Sequence, residues 1–123
     1  TYIGSVSCDG SEVKLSLESD ANGDADAAQQ IALQLWQDQK QLRQDAEAFA
    51  TQQLLKRKNE DWLSEGESEV DADEFRRRLR LEAIDVHADG SFQFWYNDGD
   101  LFWGHLIVIS GDKAGWVDAG LQG

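Results

Sequence analysis

Two carboxylates flanking a glycine, Asp98-Gly99-Asp100, with His105 five residues on, are the groups in this chain best spaced to do chemistry. Aspartates at alternate positions of a loop can hold a hard cation, as calcium loops do. Here the twelve-residue loop and its closing glutamate are absent, and a tight turn leading into a polar strand start accounts for all three residues. Asp85 and His87 form a second constellation, but a carboxylate two residues away biases a histidine without making a catalytic pair. Cys8 lies at a turn, with no histidine identifiable as its base. There is no Cys/His metal spacing, glycine-rich phosphate loop, Gly-x-Ser-x-Gly or dinucleotide fingerprint, so no cofactor is expected. A metal-binding protein or hydrolase centred on Asp98, Asp100 and His105 stands as the alternative to a binding role.

The other candidates are rings. The segment Asp89–Ser110, DGSFQFWYNDGDLFWGHLIVIS, interleaves aromatic, β-branched and acidic residues around Asp-Gly pairs at 89–90 and 98–99. Asp-Gly between strand-forming runs is a strong hairpin signal, and two-residue turns fix the register. His87 then faces Phe92 and Asp85 faces Phe94. In the second hairpin Phe92 faces His105, Phe94 faces Trp103 and Tyr96 faces Leu101. One sheet face would carry Asp85, His87, Phe92, Phe94, Tyr96, Leu101, Trp103, His105 and Ile107. The other would carry Ile84, Val86, Gln93, Trp95, Phe102, Gly104, Leu106 and Val108. Phe92 would separate the histidines, leaving their backbones about 10 Å apart, two strand spacings and awkward for one shared metal. Rings on the face away from the helices would form the kind of exposed apolar patch that marks a binding site. The expected protein-binding residues are Trp95, Tyr96, Asp98, Asp100, Phe102, Trp103 and His105.

The elements that must position these residues follow from periodicity. Tyr2–Ser7 and Ser11–Glu18 flank Asp9-Gly10 and predict a first hairpin, with Val13, Leu15 and Leu17 on its apolar side. SDANGD, residues 19–24, is turn chemistry. A helix is expected from about Asp24 to Ser64, with Ala28, Ile31, Leu35, Leu42, Ala46 and Phe49 on one stripe and Leu33, Leu55 and Trp62 on another. A straight helix of that length would reach about 60 Å, so it must bend, break or project, with Gln37–Gln41 and the segment after Ala50 as break points. Its second stripe suits a sheet edge or a homodimer contact. SEGESEVDAD, residues 64–73, reads as a solvated loop. Asp71 or Asp73 would cap a short helix over Asp73–Arg80 that buries Phe75 and Leu79. Strands follow at Leu81–His87, Phe92–Asn97, Phe102–Ser110 and Gly115–Leu121. The order ββ-α-α-ββββ predicts one α+β domain over residues 1–123. An antiparallel sheet of five to six strands would pack against one long, bent helix and one short helix.

Charge bounds the partners. The 24 acidic and 11 basic residues give a formal charge of −13, which repels nucleic acid and anionic membranes and speeds encounters with a basic protein. No apolar run approaches the ~20 residues of a membrane helix. The start, TYIGSVSCDG, lacks the basic and apolar regions of a leader, and a single cysteine forbids an internal disulfide. A cytoplasmic protein is expected. The basic knots Lys56-Arg57-Lys58 and Arg76-Arg77-Arg78 with Arg80 could grip phosphate or carboxylate. Helix C-terminal ends and the acidic 60–74 loop account for them more simply.

The run DGSFQFWYNDGDLFWGHLIVISGD, preceded by a long Gln/Ala-rich helix with LWQDQK and KNEDWL, resembles a small bacterial family catalogued only as a domain of unknown function. The resemblance covers nearly the whole chain and centres on Asp-Gly-Asp-Leu-Phe-Trp-Gly-His, residues 98–105. It implies no activity, cofactor or catalytic residue. In size and charge the chain is similar to immunity proteins that sit beside interbacterial toxins, an analogy of class. The expected function is a non-enzymatic, cytoplasmic protein-binding domain, an immunity protein neutralising a basic toxin being its specific form. A structural homodimer through the long helix is the remaining alternative.

Overall fold

Strands β1 (Tyr2–Cys8) and β2 (Ser11–Leu17) pair antiparallel with Cys8 opposite Ser11, which is the register of a two-residue connection. In the computed structural model the described residues are 2–8, 11–17, 30, 33–34, 37–87, 89–112 and 114–122. The expected helix start near Asp24, the 19–24 turn, the Asp9-Gly10 turn itself and stripe residues Ala28, Ile31 and Leu35 lie outside them.

Helix α1 (Gln39–Asp61) runs 23 residues, about 35 Å at 1.5 Å per residue. Residues 30, 33, 34 and 37 are helical too, and a turn at Asp38 interrupts the helix within the expected 37–41 segment. Hydrogen bonding continues through it: Asp38 N–H donates to Gln34 O at 3.2 Å and Leu42 N–H donates to Asp38 O at 3.0 Å. The second expected break, after Ala50, does not occur. Instead the buried side rotates along the row Ala46, Ala50, Leu54 and Lys58, because each four-residue step advances a 3.6-residue helix by about 40°. The rotation lets one helix pack against two neighbours, strand β6 and helix α2 (Ala72–Arg78). Leu55 and Trp62, read as a possible dimer stripe, pack on this chain's own core, whereas Leu33 is exposed.

The expected cap of α2 forms: Asp71 Oδ1 accepts from Glu74 N–H at 2.8 Å, and Phe75 and Leu79 are buried. Beyond it come β3 (Arg80–Val86), β4 (Phe92–Asn97), β5 (Leu106–Asp112) and β6 (Gly115–Gln122). The sheet has six strands in chain order. Its one departure from the antiparallel expectation is the β2–β3 pair, which is parallel because the connection carrying both helices returns the chain to the end where β2 began. The core lies between the helices and one sheet face, with Val13, Ile84, Val86, Phe92, Phe94, Tyr96, Ile107 and Ile109 meeting Ala46, Ala50, Leu54 and Phe75.

Both expected registers after residue 80 need correction. Val86, not His87, pairs with Phe92, and Ile84 pairs with Phe94. Asp89-Gly90 does not form a two-residue turn: Gly90 N–H donates to His87 O at 3.1 Å and His87 N–H to Ser91 O at 2.9 Å. Gly90 holds φ 98°, and Asp89 Oδ1 accepts from both Ser91 N–H and Ser91 Oγ–H. The longer turn slips the strand by one residue, and a slip of one exchanges the faces. Ile84 and Val86 therefore enter the core, while Asp85 turns outward to accept a hydrogen bond from Trp95 Nε1 at 3.0 Å.

The second correction is larger. Strand β5 starts at Leu106 instead of Phe102, and Phe92 pairs with Gly111 instead of His105. The intervening residues 98–105 are a loop in which Gly99, Asp100, Trp103 and Gly104 all have positive φ. No strand accommodates that backbone. The ring grid expected across one face does not form, and Phe92 does not separate the histidines. His87 and His105 sit beyond opposite ends of β4, a separation of about 20 Å for a six-residue strand.

Candidate functional site

Asp98 builds the loop that carries the candidate site. It is 1% exposed, and its carboxylate accepts four backbone hydrogen bonds. Oδ1 takes Asp100 N–H at 2.9 Å; Oδ2 takes Phe102 at 2.9 Å, Gly104 at 3.2 Å and His105 at 3.0 Å. Leu101 N–H closes on Asp98 O at 3.1 Å, with Gly99 and Asp100 as the two central residues at positive φ. That is the pattern of a type I′ turn, one residue later than the Asp-Gly pair suggests. The buried charge is stabilised by amide dipoles, so this carboxylate serves the loop's own backbone.

The loop is tied from below. Arg78 Nε donates to Gly99 O at 2.9 Å, and its Nη1 lies 4.0 Å from Glu67 Oε2. Glu67 is in turn held by Lys58, a fully buried lysine whose Nζ donates to Glu67 Oε1 at 2.9 Å and to the Trp62 carbonyl at 2.7 Å. Asn59 clamps the same connection by exchanging hydrogen bonds with Val70 N–H and C=O at 2.8 and 2.9 Å. Hydrogen bonds from Ser64 N–H and from Lys58 hold the Glu67 carboxyl below its ordinary range. Gly99 presses on Arg78: a Cβ there would meet Arg78 O at 2.4 Å, at φ 57°. Gly99→Ala is expected to destabilise the fold by about 2–3 kcal/mol, combining the left-handed penalty with overpacking against backbone. Chemical denaturation measures this, and a loss below about 0.5 kcal/mol would show that the contact yields freely.

On this frame sits a ring cluster. Trp62, just past the end of α1, contacts Trp103 at 4.8 Å, His105 at 5.2 Å and Phe102 at 5.6 Å between ring centroids, all edge-to-face. Phe102 is buried and packs on Phe75 at 6.1 Å, anchoring the cluster in the core. Trp103 is 57% exposed although its φ is +59°, a conformation unfavourable for a bulky residue. His105 Nδ1 lies 2.5 Å from Phe102 O. A carbonyl only accepts, so Nδ1 is the protonated nitrogen in this contact.

The structure divides the seven expected site residues. Trp103 and His105 share the exposed cluster, Asp100 is exposed on the same loop, and Phe102 and Asp98 lie beneath as support. Tyr96 is buried and hydrogen-bonds Glu47 Oε2 through its hydroxyl at 3.1 Å. Trp95 lies on the outer sheet face against Asp85. Among the described residues no three His, Cys, Asp or Glu side chains are grouped to hold a metal ion. Asp98, needed by the metal and hydrolase alternatives, presents its oxygens to amides. Sequence reasoning missed the ring cluster's centre, Trp62, and its foundations, Lys58, Glu67 and Arg78. The off-axis helical spacing of Trp62 was the available signal, but nothing in it points to a loop forty residues away.

No helix among the described residues is long and apolar enough to cross a membrane. No curated protein and no solved structure matches the chain. The family model described as "Uncharacterized protein conserved in bacteria (DUF2262)" matches residues 1–120, and the chain belongs to that family.

Proposed function

We propose that this protein is a non-enzymatic binding domain that docks a basic protein partner through Trp103, with Trp62, His105 and Asp100 around it. The observation that carries this reading is Trp103 itself. A large ring is held in the open, in an unfavourable backbone conformation, by a loop whose support reaches into the core. Exposed indoles on rigid frames are the residues on which interface energy concentrates, and they lose little entropy on binding. The formal charge of −13 selects the sign of the partner and steers it. An immunity protein that neutralises a basic toxin in the cytoplasm is the specific form proposed. The lone cysteine accords with that reducing compartment.

The test uses the product of a toxin-like open reading frame adjacent to this gene, titrated against the purified domain. Tight binding is expected, with an association rate that falls as salt rises and a dissociation rate that changes little. Trp103→Ala should weaken it by about thirtyfold, or ~2 kcal/mol, without lowering stability. Equal affinity of Trp103→Ala and the parent would remove the proposed surface. Self-association in place of partner binding would favour the homodimer.

A further inference from the structure

A second site lies away from the ring cluster. A cleft of about 600 Å³ opens between the N-terminal half of α1 and the α2–β3 junction. Five of the chain's 11 Lys and Arg line it: Lys40 and Arg43 from α1, Arg76 and Arg77 from α2, and Arg80 from β3. Its one carboxylate, Glu47, is engaged by the Tyr96 hydroxyl at 3.1 Å. Leu79, Leu81 and the Tyr96 ring supply an apolar floor. Arg80 is positioned by donating from Nη1 to the Leu79 carbonyl at 3.0 Å and to the Arg77 carbonyl. Glu47 and Trp62 are about 22 Å apart along α1, so the cleft and the ring cluster do not overlap.

The charge distribution is the anomaly. In a molecule of charge −13, cations from three elements converge on one concavity that a single carboxylate lines; Glu74 outside the lining pairs with Arg77, and Lys40, Arg43, Arg76 and Arg80 still outnumber Glu47. A helix C-terminus explains Arg76 and Arg77 but not Lys40 and Arg43, which reach the cleft from another element. Guanidinium groups gathered around a cleft favour a compact, multiply charged anion, because planar forks bind phosphate oxygens in pairs. The acidic exterior repels extended polyanions such as nucleic acid, which would have to lie along it. The volume suits a small molecule, and the floor suits an attached apolar or aromatic portion.

We infer that the cleft binds a small phosphorylated anion. Calorimetric titration of the intact protein in low-salt buffer, with inorganic pyrophosphate, adenosine diphosphate and tetraglutamate, tests this. Saturable binding of one phosphate compound per chain is expected. The double variant Lys40→Gln, Arg76→Gln should weaken it at least tenfold. Lys56→Gln, at an exposed lysine outside the cleft, should leave affinity unchanged. If the double variant loses its native circular dichroism, Lys40→Gln alone carries the comparison, with about a threefold loss expected. The inference fails if neither phosphate compound binds saturably, if tetraglutamate binds as tightly, or if Lys56→Gln weakens binding equally. Loss of partner binding in Trp103→Ala with phosphate binding intact would keep the two sites separate.

Discussion

Replacing Asp98 with alanine is expected to lower the free energy of unfolding by about 3–5 kcal/mol, the largest effect of any single substitution in the 98–105 loop. Four backbone N–H groups converge on that buried carboxylate. Each hydrogen bond to a charged acceptor contributes about 1.5–3 kcal/mol, and an orphaned buried donor adds its own desolvation cost. The full sum is not realised, because the loop can open and admit water once the anchor is gone. Asp98→Asn should cost about half as much. An asparagine oxygen can replace Oδ2, which takes three of the four bonds, while its NH₂ opposes only the Asp100 amide. Urea denaturation of both variants measures this ordering. A site in which Asp98 served as a metal ligand or nucleophile would behave otherwise, since freeing such a carboxylate from ligand duty leaves stability unchanged or raises it. Equal stability of Asp98→Ala and the parent would therefore overturn the structural role given to this residue.

Lys58→Ala is the second large expectation, a loss of about 3–5 kcal/mol. The side chain is fully buried and donates to the carbonyl that ends α1 and to Glu67. Removing it leaves a void, an unanswered carbonyl and a carboxylate whose remaining cation, Arg78, is 4.0 Å away. Lys58→Met keeps the stem volume and should recover about 1–2 kcal/mol of that loss, because Glu67 is partly exposed and can rehydrate. The same pair sets a pH dependence. Glu67 is held below its ordinary value of 4.5, first by the Ser64 amide and then by Lys58. A carboxyl depressed on folding stabilises the native state above its unfolded pKa and loses that contribution as pH falls through the folded one. Stability should thus decline below about pH 4.5, and the decline should be shallower in Glu67→Gln. Parallel pH profiles for the parent and Glu67→Gln would show that this carboxyl is not coupled to folding.

Trp62 ties these two expectations to the proposed binding surface. Its carbonyl is the one Lys58 caps, and its ring touches the loop that Asp98 folds. Loosening either anchor should therefore reach Trp103 indirectly. Partner binding should be weaker in Asp98→Asn even where the domain remains folded, because a recognition ring held in place beforehand loses less entropy on docking.

Much of the fold was legible from local chemistry. The alternation of Val13, Leu15 and Leu17, the Asp71 cap before Phe75, and the limits of Phe92–Asn97 each depend on residues within a few positions of one another. Local rules of period, cap and propensity suffice there. Charge and family resemblance were equally legible, since neither depends on how the chain packs.

The registers were not legible, and the reason is physical. Asp-Gly satisfies several turn geometries of similar local energy, so tertiary contacts select among them. At 89–90, burying Ile84 and Val86 outweighed burying Asp85 and His87, and the turn lengthened by one residue to permit it. At 98–99, the Asp98 carboxylate gathered amides from residues up to seven positions away and drew Phe102 into the core against Phe75, ending any strand. The sequence by itself determined the class of fold, its element order and the sign of its own net charge. Which rings face water was decided by Arg78, Lys58 and Trp62, distant in sequence from the loop they support, because only the folded chain brings their contacts together.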